Sequence, residues 1–291
     1  MKIVFFGTPQ NAALVLNKLI SSKFRPALAI TGADVKRGRG KKLQPTPVKR
    51  IAEASGIQVL LPENLKEKKF IETFREFSPD IAILIAYGKL IPAEILAIPK
   101  YGFVNIHPSL LPKYRGPSPI YQTILAGDKE TGVTIIKLDE KLDHGPIIAH
   151  KELSITEKDT HDSLMAKLAK TGADLLIGVL PSYLDGSLKP VAQDHTKATH
   201  TEMIKKEDGF VDPDNPPDPE KLDRMIRAYY PWPGVWSKVK VKSGKSIIIK
   251  FLPGNLIQPE GKRAMTIAEF KNGYPRVYEQ IKHLFSQKAQ S

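Results

Sequence analysis

The chain has 291 residues, enough for more than one hydrophobic core, and its 41% apolar content is that of a packed globular protein. The absence of cysteine excludes disulfides, thiolate metal sites and a cysteine nucleophile. Lys and Arg outnumber Asp and Glu by 44 to 31; the net charge of +13 fits a polyanionic partner such as nucleic acid, and equally a basic solvated surface.

Residues 2–7 read as a buried strand, too short for a secretory leader, and no apolar run reaches the length of a membrane span. A cytoplasmic protein with no membrane partner is therefore expected. Gly7-Thr8-Pro9 is a turn, followed by a helix with Ala13, Leu16, Leu19 and Ile20 on one side. This strand–turn–helix opening lacks the glycine spacing of a dinucleotide site. A second strand covers 27–31. Residues 32–47 then read as a loop in which Lys36, Arg37, Arg39, Lys41 and Lys42 alternate with glycines. Helices follow at 48–54 and 66–77, with a short strand at 58–61 between them. Residues 81–87 are continuously apolar, as in a strand covered on both faces of a parallel sheet.

Residues 101–118 organise the rest. Phe103, Val104 and Ile106 mark a strand, and Pro108, Pro112, Gly116, Pro117 and Pro119 then force a rigid loop. Asn105 and His107 stand two apart at the strand's end and so share a face. In α/β sheets the carboxyl edge of the strands is where ligands bind. After a short helix at 120–126, a strand at 132–138 leads to a loop with Asp143 and His144. If that loop turns to the same edge, a carboxamide, an imidazole and a carboxylate converge. Such a set can move a proton and stabilise an oxyanion without a side-chain nucleophile. Taken alone, an Asn-x-His pair caps a turn more often than it catalyses. Asp143 can brace its own Asp-His-Gly turn, and His107, Asp143 and His144 lack the spacing of a convincing metal site, so no metal is expected.

Residues 147–155 are extended, and 160–184 form a long helix that Pro181 should kink near its end. The alternation of strands and helices predicts an α/β domain with a mostly parallel, Rossmann-like sheet over 1–190. Residues 191–217, polar and proline-rich, read as a linker. Asp218-Pro219-Glu220 starts a helix with Leu222, Met225, Ile226 and Tyr229 on one face. Strands at 235–241, 246–251 and 255–258, punctuated by lysines, and a helical tail at 277–285 complete a small second domain over 218–291.

Several motifs in one order carry a family resemblance. They are Phe5-Phe6-Gly7-Thr8-Pro9, Gly38-Arg39-Gly40-Lys41-Lys42, Pro45-Thr46-Pro47-Val48-Lys49 and Ala86-Tyr87-Gly88, then Asn105 through Gly116. Gly127–Thr134 in single letters reads GDKETGVT, followed by Leu142-Asp143-His144-Gly145-Pro146-Ile147, Lys205–Gly209 (KKEDG), Pro231–Trp236 (PWPGVW) and Gln258–Arg263 (QPEGKR). Together they resemble the folate-dependent formyltransferase family over most of the chain. The resemblance implies Asn105, His107 and Asp143 as the catalytic trio. Ser109, Leu110, Leu111 and Pro112 would form a folate-binding loop, with Tyr87 and Leu90 beside the pterin pocket. Arg37, Arg39, Lys41 and Lys42 would sit on a loop that meets tRNA. The implied reaction transfers formyl from 10-formyltetrahydrofolate to the α-amine of methionine on initiator tRNA, by a monomer. Formylation of a small amine, such as an amino-sugar nucleotide, is the alternative. The resemblance makes the second domain an OB-like, tRNA-binding β-barrel, although little room remains for five strands.

Overall fold

The computed structural model describes residues 1–37, 42–241 and 244–285; of residues 36, 37 and 42 only the backbone is described. In chain order the elements up to the central stretch are β1 (Ile3–Gly7), α1 (Gln10–Ile20), β2 (Leu28–Ile30), β3 (Val35–Arg37), β4 (Lys42–Gln44), α2 (Pro47–Ala54), β5 (Gln58–Leu60), α3 (Lys68–Phe77), β6 (Ile81–Ile85), α4 (Ala93–Leu96) and β7 (Phe103–His107). There follow α5 (Pro119–Ala126), β8 (Glu130–Lys137), β9 (Ile147–Ser154), α6 (His161–Leu184), α7 (Pro219–Ala228), β10 (Val235–Lys240), β11 (Ser246–Leu252), β12 (Leu256–Pro259), β13 (Met265–Thr266), α8 (Ile267–Gly273) and α9 (Pro275–Ile281).

The chain divides into two compact units: residues 1–116, 130–154 and 165–200 form the first, and 117–129, 155–164 and 201–291 the second. The second thus takes two short pieces from within the stretch expected to make up the first domain.

The first unit is built on a seven-stranded sheet of order β5-β2-β1-β6-β7-β8-β9. Its first five strands are parallel, as the β/α alternation predicts; β8 and β9 run antiparallel at the edge. Continuous burial along β1 explains its unbroken apolar character, because helices cover both faces; β7 is buried throughout as well, although it carries Asn105 and His107. On one face Phe6 packs edge-on to Phe74 at 5.8 Å and to Tyr87 at 5.3 Å, with Phe103 5.2 Å away. On the other, α6 comes so close that a Cβ on Gly172 would lie 2.6 Å from Ile106 Cγ2. Phe103, Asn105 and His107 therefore share the aromatic face of β7, and Ile106 points to α6.

One expectation for this unit changes. Residues 35–37 and 42–44 pair as antiparallel strands, β3 with β4 (Val35 opposite Gln44, Arg37 opposite Lys42), inside the stretch predicted as a loop. Charges hide the β signal, because a pairing whose Val35, Leu43 and Gln44 are exposed needs no apolar alternation. Helix α6 runs unbroken to Leu184 with Pro181 inside it. Placed in the last turn, this proline removes only one donor near the helix's end.

In the second unit, α7 is capped as its sequence predicts, Asp218 accepting from Lys221 N at 2.8 Å with Pro219 in the first turn. It packs against α5. Strands β10–β13 form an antiparallel sheet in that order. Four strands are paired where a five-stranded barrel is the family's pattern, and among the described residues the sheet does not close. The two-residue β13 is too short to carry a ladder round to β10. A Thr266–Glu269 capping box starts α8, whose Phe270 is fully buried.

The expected linker is more structured than its composition suggests. Gln193 is buried, Thr199 O accepts from Arg115 N at 2.8 Å, and Ile147 bridges to Val191. Backbone groups and the Gln193 side chain here satisfy other backbone groups instead of marking a free tether.

Candidate active site

Strand β7 ends the parallel part of the sheet, so its carboxyl end is a natural ligand edge. His107, its last residue, is 4% exposed, and Asn105 is 6% exposed on the same face. The His107 ring is fixed from both sides. Its Nε2 lies 3.0 Å from Tyr114 O; a carbonyl only accepts, so Nε2 carries a proton. Its Nδ1 lies 3.5 Å from Asp143 Oδ1. The other carboxylate oxygen, Oδ2, accepts from Gly116 N at 2.8 Å. Asn105's carboxamide makes no hydrogen bond to a described residue, which leaves its donors available to a ligand.

The route by which Asp143 reaches His107 differs from the simplest strand-end picture. Because β8 is antiparallel to β7, the loop after it leaves near the start of β7, where Leu138 N donates to Phe103 O at 2.8 Å. Residues 139–146 must then double back along the strand to bring Asp143 to His107. Gly145 makes this possible, since a Cβ there would sit 1.9 Å from Lys137 O. Asp143 itself has φ +48°, a left-handed conformation that costs a non-glycine residue about 1 kcal/mol. Aspartate tolerates it better than most residues.

The loop after β7 is braced internally. Ser109 Oγ donates to Lys113 O at 2.6 Å, and Thr134 Oγ1 donates to Ser109 O at 2.7 Å while accepting from Leu111 N at 3.0 Å. Gly132 lets the loop lie on β8, since a Cβ there would meet Leu110 Cδ2 at 2.4 Å. Ser109's hydroxyl is thus spent on the loop, and Leu111 is buried.

The chain matches the formyl transferase family model over residues 1–180. It is 38% identical to the methionyl-tRNA formyltransferase of Thermodesulfovibrio yellowstonii over 93% of this chain and 95% of that protein. It is 43% identical to the methionyl-tRNA formyltransferase of Thermotoga maritima over 80% and 74%. The chain belongs to the methionyl-tRNA formyltransferase family. Among solved structures, this formyltransferase is similar to the phosphoribosylglycinamide formyltransferase of Bacillus halodurans (TM-score 0.53, 28% identity, 64% of this chain and 97% of that one). It shares its fold with a 4-N formyltransferase from Francisella tularensis (TM-score 0.65, 18% identity, 87% and 98%).

Of the site residues read from the sequence, the structure brings His107 and Asp143 together and puts Asn105 on the same strand face. Ser109, Leu110, Leu111 and Pro112 follow directly in the braced loop. Tyr87 lies in the aromatic core under β1. Its hydroxyl has no partner among the described residues, and burial pushes its pKa up to about 12, so it stays neutral. Its carbonyl accepts from Thr8 Oγ1 at 3.4 Å. Leu90, in contrast, is 74% exposed on the following turn. Arg39 and Lys41 lie outside the described residues. The backbones of Arg37 and Lys42 pair across the β3–β4 hairpin.

Sequence reading missed Arg115 and Gln193, which are buried beside Asp143. Arg115 Nε and Nη2 donate to Gln193 Oε1 at 3.2 and 2.6 Å. Gln193 lies in the segment read as a linker. No local sequence signal marks this role, which depends on the fold placing the Asp143 and Gly145 carbonyls against Gln193.

Proposed function

We propose that this formyltransferase moves a formyl group from 10-formyltetrahydrofolate to the α-amine of methionine esterified to initiator tRNA, in the first step of translation. The observation that carries the reading is the near full-length relationship to methionyl-tRNA formyltransferases, joined to a buried His107–Asp143 pair at the end of β7.

The neutral amine attacks the formyl carbon, forming a C–N bond and a tetrahedral oxyanion. The Asn105 carboxamide donates to that oxygen, a contribution worth about 3 kcal/mol in comparable sites. With Nε2 committed to Tyr114 O, His107 acts through Nδ1, toward Asp143. The amine's proton passes to this pair and on to the folate nitrogen as the C–N bond to the cosubstrate breaks. The 109–112 loop and the turn that carries Tyr87 and Leu90 border the folate. The scheme calls for no metal.

The cationic stretch 36–42, through Arg37, Arg39, Lys41 and Lys42, meets the acceptor end of the tRNA. Residues 218–291 supply sequence-independent phosphate contacts through lysines such as Lys238 and Lys250. We infer a cytoplasmic monomer; no helix among the described residues is long and apolar enough to cross a membrane. The test is purified protein with 10-formyltetrahydrofolate and either charged initiator tRNA or an amino-sugar nucleotide. Formylation of the tRNA is expected; turnover of the sugar amine with none of the tRNA would overturn the assignment.

A further inference from the structure

The turn that carries Asp143 is held from a segment fifty residues later in the chain. Gln193 Nε2 donates to Asp143 O at 2.9 Å and to Gly145 O at 2.7 Å. Its Oε1 accepts both bonds of the Arg115 fork. One planar carboxamide thus uses two donors and two acceptor positions at once, and both it and Arg115 are buried. Arg115 Nη2 also lies 2.8 Å from His195 Nδ1; a guanidinium only donates, so that nitrogen is an acceptor. The His195 ring stacks on His144 at 3.9 Å and 8°, and His144 Nδ1 lies 2.6 Å from Asp139 Oδ2. The turn is therefore gripped twice, through its backbone by Gln193 and through the His144 ring.

The same short stretch as Arg115 holds these side chains: Tyr114 O accepts from His107 Nε2, and Gly116 N donates to Asp143 Oδ2. Residues 114–116 and 193–195 thus form a frame that fixes the carboxylate against the imidazole. Such a frame matters because Asp143 sits at a positive φ, which the turn would leave if its carbonyls were free.

We propose that Gln193, locked by Arg115, is a positioning residue for formyl transfer: it holds the 143–145 backbone so that Asp143 Oδ1 faces His107 Nδ1. The proposal rests on the formyl-transfer reading above. Glutamine is the residue this place requires. Glutamate would keep the Arg115 fork but aim lone pairs at two carbonyls, and a shorter amide would not span the gap.

The test compares Gln193→Glu, Gln193→Met and Arg115→Lys with wild type. Gln193→Glu keeps its charge partner and so is the variant expected to stay folded. Its kcat is expected to fall about 100-fold, the effect of a misplacement near 1 Å. KM for 10-formyltetrahydrofolate and for charged tRNA should stay within about threefold, because groups that act only in the transition state change kcat alone. Gln193→Met should be at least as impaired, and Arg115→Lys intermediate. Separately, the ring ¹⁵N resonances of His107 should move in Gln193→Glu without any substrate. An unchanged kcat per folded molecule in Gln193→Glu would overturn the proposal, and so would His107 resonances that match wild type. If wild type itself formylated nothing, the formyl-transfer reading would fall, and the resonances alone would still decide whether Gln193 positions the pair.

Discussion

The strand-end site of the first unit and the four-stranded sheet of the second solve opposite problems. Around His107 and Asp143, side chains and backbone groups are buried and cross-linked by hydrogen bonds of 2.6–3.0 Å, with His107 Nδ1 3.5 Å from Asp143 Oδ1. In β10–β13 the inward positions Val235, Ser237, Val239, Ile249, Phe251 and Ile257 are buried, while lysines at 238, 240 and 250 alternate outward. In the proposed reaction, proton transfer between two groups needs their positions fixed within fractions of an ångström, which an over-determined region provides. In the proposed tRNA-binding role, attraction to a phosphate backbone needs charge at a distance and tolerates side-chain freedom, which a sheet with its lysines outside provides.

The largest expected effect tests the first half of that contrast. Asn105→Ala should lower kcat by about 10²–10³-fold, the loss of one oxyanion donor, while tRNA affinity in filter binding stays unchanged. Asp143→Asn should act the same way. A variant that kept its rate, or lost tRNA binding in parallel, would break the division of labour.

Next in size is Thr134→Val. Its hydroxyl is fully buried and joins Ser109 O to Leu111 N. Valine fills the space but leaves a buried donor and acceptor unpaired, which should cost about 2 kcal/mol in urea unfolding and raise KM for the folate donor. Unchanged stability would mean that the 109–112 loop is held by packing alone.

The cationic stretch 36–42 should respond differently. The double variant Arg39→Ala/Lys41→Ala should reduce the slope of log affinity against log salt by about 2, roughly one for each phosphate that the protein no longer neutralises. Its kcat at saturating tRNA should equal wild type. A changed kcat with an unchanged slope would place these residues in the chemistry.

The smallest effect concerns pH. His161 stacks on Tyr121 at 4.0 Å, and burial holds its pKa below the ordinary value of 6.5, partly opposed by the charge of Asp162. The unfolded chain therefore takes up a proton at this residue before the folded one does. The contribution to stability is present above pH 6.5 and is lost as pH falls from there to the folded-state pKa. His161→Phe keeps the ring stack and should flatten the fall in unfolding free energy between pH 7.5 and 5.5; an unaltered slope would assign that pH dependence to other groups. His195, whose pKa is lowered by desolvation and then by His144, Arg115 and Lys141, adds to the slope in the same direction.

Local signals along the chain were enough for the parallel strands, their covering helices, the capped start of α7 and the placement of Asn105 and His107 on one strand face. Those signals are periodicity of two or 3.6, capping residues and proline punctuation. They also pointed to Asp143, although through a strand-end argument whose geometry differs, since β8 runs antiparallel and its loop has to double back to His107. That path and the return of Gln193 to the 143–145 turn became visible only in the folded chain. Each of these joins groups far apart in the chain, or depends on which backbone carbonyls become buried. No local pattern of residues encodes that, because a buried carbonyl can be satisfied from anywhere along the sequence.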